Sequence, residues 1–485
     1  MGRVKEETAR GIKWGLVQKC TMQPVQFLYG IILARLISPD EMGILGLTAI
    51  FFAIAEILQT CGFGSALVRK QDRTDEDICT VFWFNVGMSF FLSTVLFLLA
   101  PWFVWFFDQP ALLWLTRASA LLMFFNSTIS VHMSLYQARR DFKTPAIVSM
   151  FTTLVAMPFT IWAAYSGWSY WAPMLQGIVS GVSYQIVIWI VSPWRPRLVF
   201  SGKSFHEFFK YGINLVASGL FGVCYGHART FIIGKFYSPA QLAFFTRGEH
   251  ICSVPNSLIQ GIIEPVSFPI LATLQHDMAR FKSVYQQYAK LTSILVNWLM
   301  ITLAANSSSA IVFLYGERWE IAADYAQIIC LGWMFNPIQN LNSSVLNVLG
   351  RTDLYLKIVM ISRTVSIILM IIAACHSVAA ICWVAVVSGF LGWAVSALFV
   401  SKIGVLKMRE ALNTFMPYLI MCIIVNIPAY FINLQLWNPG VQMVIGGAIS
   451  ACLYFAILWC KKDEVFNQLL SFALSKIKKG SAHDV

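Results

Sequence analysis

The sequence predicts an all-α polytopic membrane protein with about fourteen transmembrane helices, arranged as two parallel six-helix lobes followed by two further C-terminal helices. Three observations lead to this fold class. The 485 residues are 58% hydrophobic and only 12% charged, whereas soluble domains contain about 25% charged residues. Long apolar segments recur along the whole chain. The basic residues cluster in every second loop between those segments, which is the pattern that sets the orientation of a membrane protein.

The apolar segments are long enough to cross the hydrocarbon core of a bilayer, which takes about 20 residues in a helix. A membrane β-barrel would instead show alternating segments of about ten residues, and the sequence contains none. The fourteen predicted spans are residues 12–36, 42–68, 80–107, 110–136, 145–166, 170–192, 206–233, 239–272, 285–314, 321–349, 353–375, 377–400, 409–432 and 438–460.

The charges of the loops support this assignment. One set of loops, together with both termini, contains 27 of the 35 Lys and Arg residues, whereas the other set contains only Arg35, Lys235 and Arg318. Because loops rich in Lys and Arg stay in the cytoplasm, we expect an even number of spans and two cytoplasmic termini. The net charge of +12 then reflects membrane topology, and we expect no nucleic-acid partner.

Two similar stretches indicate an internal repeat. ARLISPDEMGIL (34–45) ends the first span and begins the second, and GKFYSPAQLAFF (234–245) does the same for the seventh and eighth spans. The distance of six spans predicts two parallel copies of one unit, related by an axis along the membrane normal. The predicted domains are an N-terminal lobe at 1–200, a C-terminal lobe at 201–405, two additional helices at 406–462 and a cytoplasmic amphipathic tail at 463–485.

The sequence predicts neither a metal site nor a cofactor. Its eleven cysteines are scattered, mostly within apolar spans, and form no CxxC pair or Cys/His ligand spacing. We expect them to be buried as small hydrophobic residues. The N-terminal segment MGRVKEETARGIK contains no apolar region followed by a cleavage site, so we expect no removable signal peptide.

The eighth predicted span is unusually polar for a membrane helix. Its polar residues recur at intervals of three, seven, three and four positions, which places them on one face of a helix. Prolines interrupt the same span, and broken helices are tolerated in membranes where they line cavities. The polar face contains Arg247, His250, Ser257, Gln260 and Glu264, and the prolines are Pro255, Pro265 and Pro269.

Further polar residues concentrate in spans 1, 2, 4, 7 and 10, whereas other spans are almost purely apolar. An uncompensated charge at the centre of a bilayer costs at least about 2.5–3.5 kcal/mol, so several such residues indicate a water-filled cavity. The additional candidates for site residues are Lys19 and Gln23 in span 1, Glu56 in span 2, Arg229 in span 7, and Asn336 and Asn340 in span 10.

These residue types suit a phosphorylated lipid that carries sugars. Lys19, Arg229 and Arg247 are candidate cations for a pyrophosphate group, which Arg binds through two parallel hydrogen bonds and Lys binds as a point charge. The amide side chains among the candidates, together with the imidazole of His250, suit the hydroxyl groups of sugars. The sequence therefore predicts a substrate-binding cavity with a cationic and an uncharged part.

Each charged candidate also has a structural interpretation. Glu56 and Glu264 are candidates for coupling transport to protons or sodium, and they equally suit structural ion pairs. Arg229 is close enough to the end of its span to extend its guanidinium group to the membrane surface. Lys19 lies about four helical turns from the charged N-terminal segment and is therefore shallow in the membrane.

The order of several short motifs resembles that of Wzx-type polysaccharide flippases, which belong to the multidrug/oligosaccharidyl-lipid/polysaccharide exporter superfamily. The similarity is closest to the colanic-acid-exporter type, and it is weakest over spans 13 and 14. The motifs are GIKWGL (11–16), ARLISPDEMGILGL (34–47), CGFGSALVRKQD (61–72), FWFNVG (82–87) and LYGERWEIAADYAQIIC (314–330).

The resemblance implies a two-lobed fold like that of the lipid II flippase and the multidrug exporters. It also implies a substrate, an undecaprenyl-pyrophosphate-linked oligosaccharide that moves from the inner to the outer leaflet of the bacterial cytoplasmic (inner) membrane. Relatives use basic cavity residues in helices 1, 2, 7 and 8, and Lys19, Arg229 and Arg247 occupy comparable helices. The second span offers Glu56 instead of a basic residue.

The predicted function is non-enzymatic transport by alternating access, for the synthesis of surface polysaccharides such as O-antigen, capsule or exopolysaccharide. The prenyl chain would stay among the membrane lipids, along a groove formed by spans 13 and 14. A multidrug or small-molecule cation antiporter of the same fold is the alternative, and a lipid II flippase differs only in its headgroup. A membrane glycosyltransferase or polymerase is disfavoured because the external loops are short and lack catalytic carboxylates.

Overall fold

The computed structural model describes residues 2–433, 435, 438–463 and 465–467, without the side chains of residues 2–13, 16, 17, 19 and 214. The described residues form eighteen α-helices and one short 3₁₀ turn, and none of them lies in a β-strand. The prediction of an all-α fold is therefore confirmed. The predicted amphipathic tail lies outside the described residues from residue 468 onwards.

Contacts divide the chain into two compact units, Met1–Ala243 and Phe244–Val485. The first unit contains α1 (Gly2–Leu36), α2 (Pro39–Thr60), α3 (Phe63–Arg69), α4 (Asp75–Phe107), α5 (Leu112–Asn126), α6 (Ile129–Ala138), α7 (Lys143–Tyr165), α8 (Trp171–Val191) and α9 (Gly202–Phe236). The second unit contains most of α10 (Pro239–Thr273), then α11 (Met278–Ala305), α12 (Ser307–Tyr315), the 3₁₀ turn (Glu317–Trp319), α13 (Glu320–Trp333), α14 (Asn336–Val348), α15 (Thr352–Ala374), α16 (Val378–Lys402), α17 (Met408–Asn433) and α18 (Pro439–Cys460).

Half of the eighteen described α-helices are long and apolar enough to span a bilayer. Among the described residues, nine helices meet this condition, and the bent pair of α5 and α6 makes a tenth if it forms one span. The 35-residue helix α10 is not among them, because polar residues interrupt its apolar sequence. The multi-pass membrane fold is confirmed, whereas the number of fourteen spans stays a prediction.

The repeated Ser-Pro pairs begin two of the membrane helices. At α2 the Ser38 hydroxyl accepts a hydrogen bond from the Glu41 amide, and the Glu41 carboxylate accepts one from the Ser38 amide at 3.0 Å. This reciprocal cap satisfies two amides that a helix start leaves unpaired. Ser238 similarly accepts a hydrogen bond from the Gln241 amide at the start of α10. Proline suits the first helical position because its missing N–H would be unpaired there.

Helix α9 packs antiparallel along α2 within the first unit, with glycines at the closest approaches. Gly212 lies against the carbonyl of Cys61 near one end, and Gly234 lies against the Leu47 side chain near the other. A side chain at either glycine would push the two helices apart. The repeat assigns α9 to the second copy, yet its contacts place it in the first unit. The lobe boundaries at residues 200 and 405 stay predictions.

The fourth span of each predicted copy is interrupted. In the first unit, α5 and α6 are bent by 42° at the break, where the Ser127 hydroxyl donates a hydrogen bond to the Phe124 carbonyl at 2.7 Å. In the second unit, Met334 and Phe335 separate α13 from α14. Hydroxyl groups commonly satisfy carbonyls that such breaks release inside a membrane. The matching interruptions are what two copies of one unit would produce.

The second unit encloses a polar chain within an otherwise apolar core. The Tyr285 hydroxyl donates a hydrogen bond to Asn342 Oδ1 at 2.5 Å, and the Asn342 amide donates one to the Ser396 hydroxyl at 2.9 Å. All three residues are buried. Their hydrogen bonds join α11, α14 and α16, and none of the three side chains has an unpaired buried atom. This network holds α14 in place, and α14 carries two of the predicted site residues.

Candidate functional site

The polar face predicted for the eighth span lies on α10, which runs continuously through its three prolines. Within the second unit, His250 and Glu264 are exposed, while Arg247 and Gln260 are half-buried. An exposed side chain of a membrane helix contacts either lipid or water, and a charged group in lipid is costly. We therefore expect this face of α10 to border water.

Three of the predicted site residues meet in a cleft between α10 and α14. Gln260, Glu264 and Asn340 line this cleft, together with Ile263, Ser267, Pro337, Leu341 and Ser344. The Gln260 amide also donates a hydrogen bond to Asn256 Oδ1 at 3.1 Å. Amide, hydroxyl and carboxylate groups thus converge at one place between the predicted eighth and tenth spans. We refer to this set of residues as the polar cleft.

The polar cleft offers unused hydrogen-bonding capacity. Among the described residues, no donor contacts the carboxylate of Glu264, and no residue hydrogen-bonds to the side chain of Asn340. The Ser267 hydroxyl is fully buried and has no partner in the described part of the chain. An unsatisfied buried polar group costs about 1–3 kcal/mol. A ligand that carries hydroxyl groups would relieve this cost, because each hydroxyl both donates and accepts. Asn336, one helical turn before Asn340, is half-buried at the start of α14.

Arg247 lies near the other end of α10, against aromatic rings. Its guanidinium carbon is 6.0 Å from the ring centre of Tyr315 and 5.9 Å from that of Trp319, and both rings are buried. Such cation–π contacts contribute about 0.5–2 kcal/mol and hold the guanidinium group in place. Seventeen residues separate Arg247 from Glu264, which corresponds to about 25 Å along a helix. The structure therefore does not bring this cation into the polar cleft.

A glycine allows Arg247 to reach these rings. A Cβ atom at Gly248 would lie 2.9 Å from the carbonyl oxygen of Ala322 and 3.0 Å from the amide nitrogen of Ala326. Because position 248 has no side chain, α10 approaches the backbone of α13 closely. Tyr315 and Trp319 belong to the LYGERW segment (314–319), which contributes to the family resemblance but was not predicted to be part of the site. Two aromatic residues on either side of a short loop are the sequence signal that could have indicated this contact.

The predicted site residues of the first unit are spread over three helices. Gln23 on α1 and Arg229 on α9 are half-buried, and Glu56 on α2 is exposed. The side chain of Lys19 lies outside the part of the chain that the structure describes. Since Ile57 faces Gly219 where α2 crosses α9, Glu56 lies about ten residues, or roughly 15 Å, along α9 from Arg229. The two opposite charges are thus not brought together within this unit.

Helices α17 and α18 form an apolar groove of about 700 Å³ in the second unit. Polar groups occur at the end where α17 begins and α18 finishes, and aliphatic side chains continue along α17 from there. The groove is lined by Leu412, Asn413, Met416, Pro417, Ile420, Met421, Ile424, Ile457 and Lys461. Such a groove suits an acyl or prenyl chain whose polar end lies near Lys461.

The described residues contain no group of three or more His, Cys, Asp or Glu side chains that could hold a metal ion. All eleven cysteines are free, and six of them are buried. The other five, including Cys20 and Cys224, are exposed, although all were expected to be buried. In a membrane span such exposure costs little, because the neighbouring lipid is as apolar as a protein core.

A family model described as a polysaccharide biosynthesis protein matches residues 32–324. The teichuronic acid biosynthesis protein TuaB of Bacillus subtilis is 22% identical over 356 residues, which are 73% of this chain and 74% of TuaB. The succinoglycan biosynthesis transport protein ExoT of Rhizobium meliloti is 23% identical over 64% of this chain and 63% of its own length. The lipopolysaccharide biosynthesis protein WzxC of Escherichia coli is 20% identical over 73% of this chain and 72% of its own length.

Two solved structures share the fold. The lipid II flippase MurJ, in an inward closed conformation, matches 96% of this chain and 99% of its own with a TM-score of 0.74 and 14% identity. An inward-facing multidrug resistance transporter of the MATE family matches 78% of this chain and 95% of its own with a TM-score of 0.60 and 14% identity. The likeness confirms the predicted fold class.

Proposed function

This chain belongs to the polysaccharide biosynthesis protein family, and we propose that it flips undecaprenyl-pyrophosphate-linked oligosaccharides from the inner to the outer leaflet of a bacterial cytoplasmic membrane. Its relatives are named for the synthesis or transport of surface polysaccharides, and its fold is shared with a lipid II flippase. It is a transporter and not an enzyme. The flipped units would serve the assembly of a surface polysaccharide.

The observation that carries the proposal is the polar cleft between α10 and α14. Its amide, hydroxyl and carboxylate groups lie on α10 and α14, within the predicted eighth and tenth spans, and retain free hydrogen-bonding capacity. Sugars present many hydroxyl groups and no net charge, so they suit Gln260 and Asn340. In this mechanism the sugars contact the mouth of the polar cleft, whose own volume of about 10 Å³ holds about one water molecule. Asn336 lies one helical turn from Asn340, and His250, about 15 Å along α10 from Gln260, would contact a sugar unit further along.

The pyrophosphate would bind separately from the sugars. Arg247 lies about 25 Å along α10 from Glu264, which leaves room for several sugar units between a phosphate and the polar cleft. Lys19 and Arg229 are the other proposed cations, and Gln23 is the proposed hydrogen-bonding partner on α1. The prenyl chain would lie in the apolar part of the α17–α18 groove.

The proposal also includes the orientation of the protein in the membrane and the coupling of transport to the membrane potential or to ions. The excess of 27 basic residues in one set of loops and the termini supports an orientation with both termini in the cytoplasm. The substrate carries negative charge outward, and each unit charge gains about 2.3 kcal/mol per 100 mV from an inside-negative potential. Glu264 and Glu56 remain the proposed sites at which protons or sodium would couple to transport.

A multidrug cation antiporter is the second candidate, because one observation favours it. Both Glu56 and Glu264 are exposed, and neither forms an ion pair among the described residues. Carboxylates that lack an ion-pair partner attract cationic drugs. The cations on α9 and α10 weigh against this candidate, since a positive site repels such substrates.

Reconstitution into vesicles distinguishes the two candidates. Vesicles containing the protein would receive either a panel of undecaprenyl-pyrophosphate oligosaccharides and lipid II, or a fluorescent cationic drug. We expect headgroups to become exposed on the far leaflet for at least one oligosaccharide lipid, with no drug uptake. Drug uptake without any flipping would reject the proposed function, and flipping of lipid II alone would change the assigned headgroup.

A further inference from the structure

The segment between α8 and α9 is held against the first unit along one side. The indole nitrogen of Trp83 donates a hydrogen bond to the Arg197 carbonyl at 2.8 Å, and the Ser201 amide donates one to the Thr80 hydroxyl at 2.9 Å. The Arg197 amide also lies 3.4 Å from the sulfur of Cys79. The backbone of this segment is therefore fixed to the first turns of α4. We call residues 197–203 the connector.

The first turns of α9, which overlap the end of the connector, are fixed as well. The Lys70 ammonium group lies 3.1 Å from the carboxylates of both Asp77 and Glu207. It also lies 5.4 Å from the ring centre of Phe208. Burial alone would lower the pKa of Lys70, but its hydrogen bonds to the two carboxylates raise it, so this ammonium group stays charged. The connector is thus fixed to α4 along one side and to the Lys70 group at its C-terminal end.

The other side of the connector exposes large apolar side chains. Leu198 is 89% exposed and Phe200 is 55% exposed, with Val199 between them. A contiguous apolar patch on a rigid segment marks an interaction surface. Arg197 and Lys203 flank the patch and are exposed too. Asp75 is the acidic group facing Arg197, at 3.8 Å with both side chains mostly solvent-accessible, so the flanks retain positive charge.

The position and the positive charge of the connector indicate which surface its apolar patch would bind. The connector joins α8 to α9, on the side of the membrane to which 27 basic loop and terminal residues are predicted to belong. Apolar side chains between Arg and Lys are typical of segments that bind at the boundary between headgroups and acyl chains. Anionic lipids attract such basic residues. A leaflet containing anionic phospholipid therefore complements both the apolar and the charged groups of the connector.

We propose that the connector docks on anionic phospholipids of the adjacent leaflet, with Leu198 and Phe200 entering the acyl boundary and Arg197 and Lys203 binding headgroup phosphates. Because the connector leads directly into the fixed first turn of α9, the bilayer would hold the start of that helix at a set depth. This inference concerns the lipids that surround the protein rather than the lipid that it transports, and it goes beyond the proposed function.

Depth measurements in vesicles test the docking. Leu198 would be replaced by a genetically encoded fluorescent amino acid in the full chain, which avoids labelling the native cysteines. Asp72, exposed in another loop on the same side of the membrane, is the matched control position. With vesicles of phosphatidylglycerol and brominated phosphatidylcholine, we expect blue-shifted, quenched emission at position 198 and unquenched emission at position 72. Equal, water-like emission at both positions would overturn the proposal.

The charged part of the proposal has its own test at the same position. We expect the variant R197Q/K203Q to lose the increase in quenching that phosphatidylglycerol causes, because each basic residue contributes roughly fivefold to binding of an anionic surface. The control variant R351Q/K357Q removes two exposed charges at the start of α15 and should behave like the wild type. If phosphatidylglycerol does not increase quenching in the wild type, or if R197Q/K203Q keeps the full increase, anionic headgroups are not the partner. Neither result depends on flipping, so this inference and the proposed function fail independently.

Discussion

At the scale of residues, the charges of α10 occupy two different environments. Arg247 lies against the buried rings of Tyr315 and Trp319, whereas Glu264 is exposed at the polar cleft beside Asn340. The sequence predicts one polar face for both, because they share a helical stripe. The difference between them depends on residues of other helices. The cation is thereby oriented before any ligand arrives, and the carboxylate stays free to bind one.

Removing Arg247 should reduce flipping more than removing a loop arginine. Charge-assisted hydrogen bonds contribute about 1.5–3 kcal/mol, so we expect Arg247→Ala to lower the flipping rate roughly tenfold to hundredfold. The flipping rate of Arg247→Lys should lie between those of the wild type and Arg247→Ala, because lysine keeps the charge but loses the planar, bidentate geometry. The measurement is headgroup exposure in vesicles with equal amounts of folded protein. Arg318→Ala, which removes an exposed arginine, is the control, and a wild-type rate in Arg247→Ala would contradict the assignment.

Asn340 provides a test of the polar cleft. We expect Asn340→Leu to slow flipping of oligosaccharide lipids about tenfold, because a lost hydrogen bond with an unpaired ligand group costs about 1–3 kcal/mol. Asn347→Leu makes the same change at an exposed position on the same helix, outside the polar cleft, and should keep normal activity. Equal losses in both variants would indicate a general effect on α14 rather than a sugar site.

At the scale of elements, the approach of α10 to α13 depends on one missing side chain. A Cβ atom at Gly248 would touch the backbone of Ala322 and Ala326. A Cβ atom at Gly261 would have no neighbouring atom within 4 Å. Both glycines occur on α10. The sequence does not predict which of the two glycines is closely packed, because a glycine has the same helix propensity wherever it lies in a predicted helix. The contact decides whether Arg247 can reach its aromatic partners.

Alanine substitutions at these two glycines should have opposite effects on stability. Gly248→Ala places a Cβ atom 2.9 Å from a carbonyl oxygen, and such overpacking costs about 1–3 kcal/mol. Gly261→Ala should be neutral or stabilise the protein by up to about 1 kcal/mol, because alanine has the higher helix propensity. Thermal unfolding in detergent measures both variants. A Gly248→Ala protein as stable as Gly261→Ala would mean that α10 and α13 are further apart than described.

At the scale of the whole molecule, the proposed transport moves negative charge across the membrane. If no cation accompanies the substrate, an inside-negative potential should favour outward movement by about 2.3 kcal/mol per charge per 100 mV. Co-transport of a cation bound at Glu56 or Glu264 would reduce this dependence. The electrical behaviour of the protein therefore reports on the coupling that the two carboxylates suggest.

A potassium diffusion potential in vesicles makes this measurable. We expect the initial rate of flipping to rise when valinomycin makes the interior of the donor compartment negative, and to fall when the gradient is dissipated. Empty vesicles and vesicles with Arg247→Ala serve as controls for leakage. A rate that is independent of potential would reject uncompensated charge movement and favour coupling to a cation.

Much of the molecule could be predicted from the sequence, because the responsible signals are local. The length and apolarity of each segment determine whether it spans a bilayer, and the Ser-Pro pairs at 38–39 and 238–239 mark where helices begin. The asymmetry of 27 basic residues against 3 predicts orientation without reference to packing. The polar face of α10 follows from helical periodicity alone.

The cleft of Gln260, Glu264 and Asn340, the rings beneath Arg247, and the packing of α9 with the first unit emerge only once the chain is folded. Each depends on contacts between residues that are far apart in sequence, and the shapes of the helix surfaces decide those contacts. A glycine such as Gly212 or Gly248 matters because of what lies opposite it. The sequence therefore determined which residues enter the membrane, and folding determined which of them meet, because burial follows local apolarity whereas proximity follows packing.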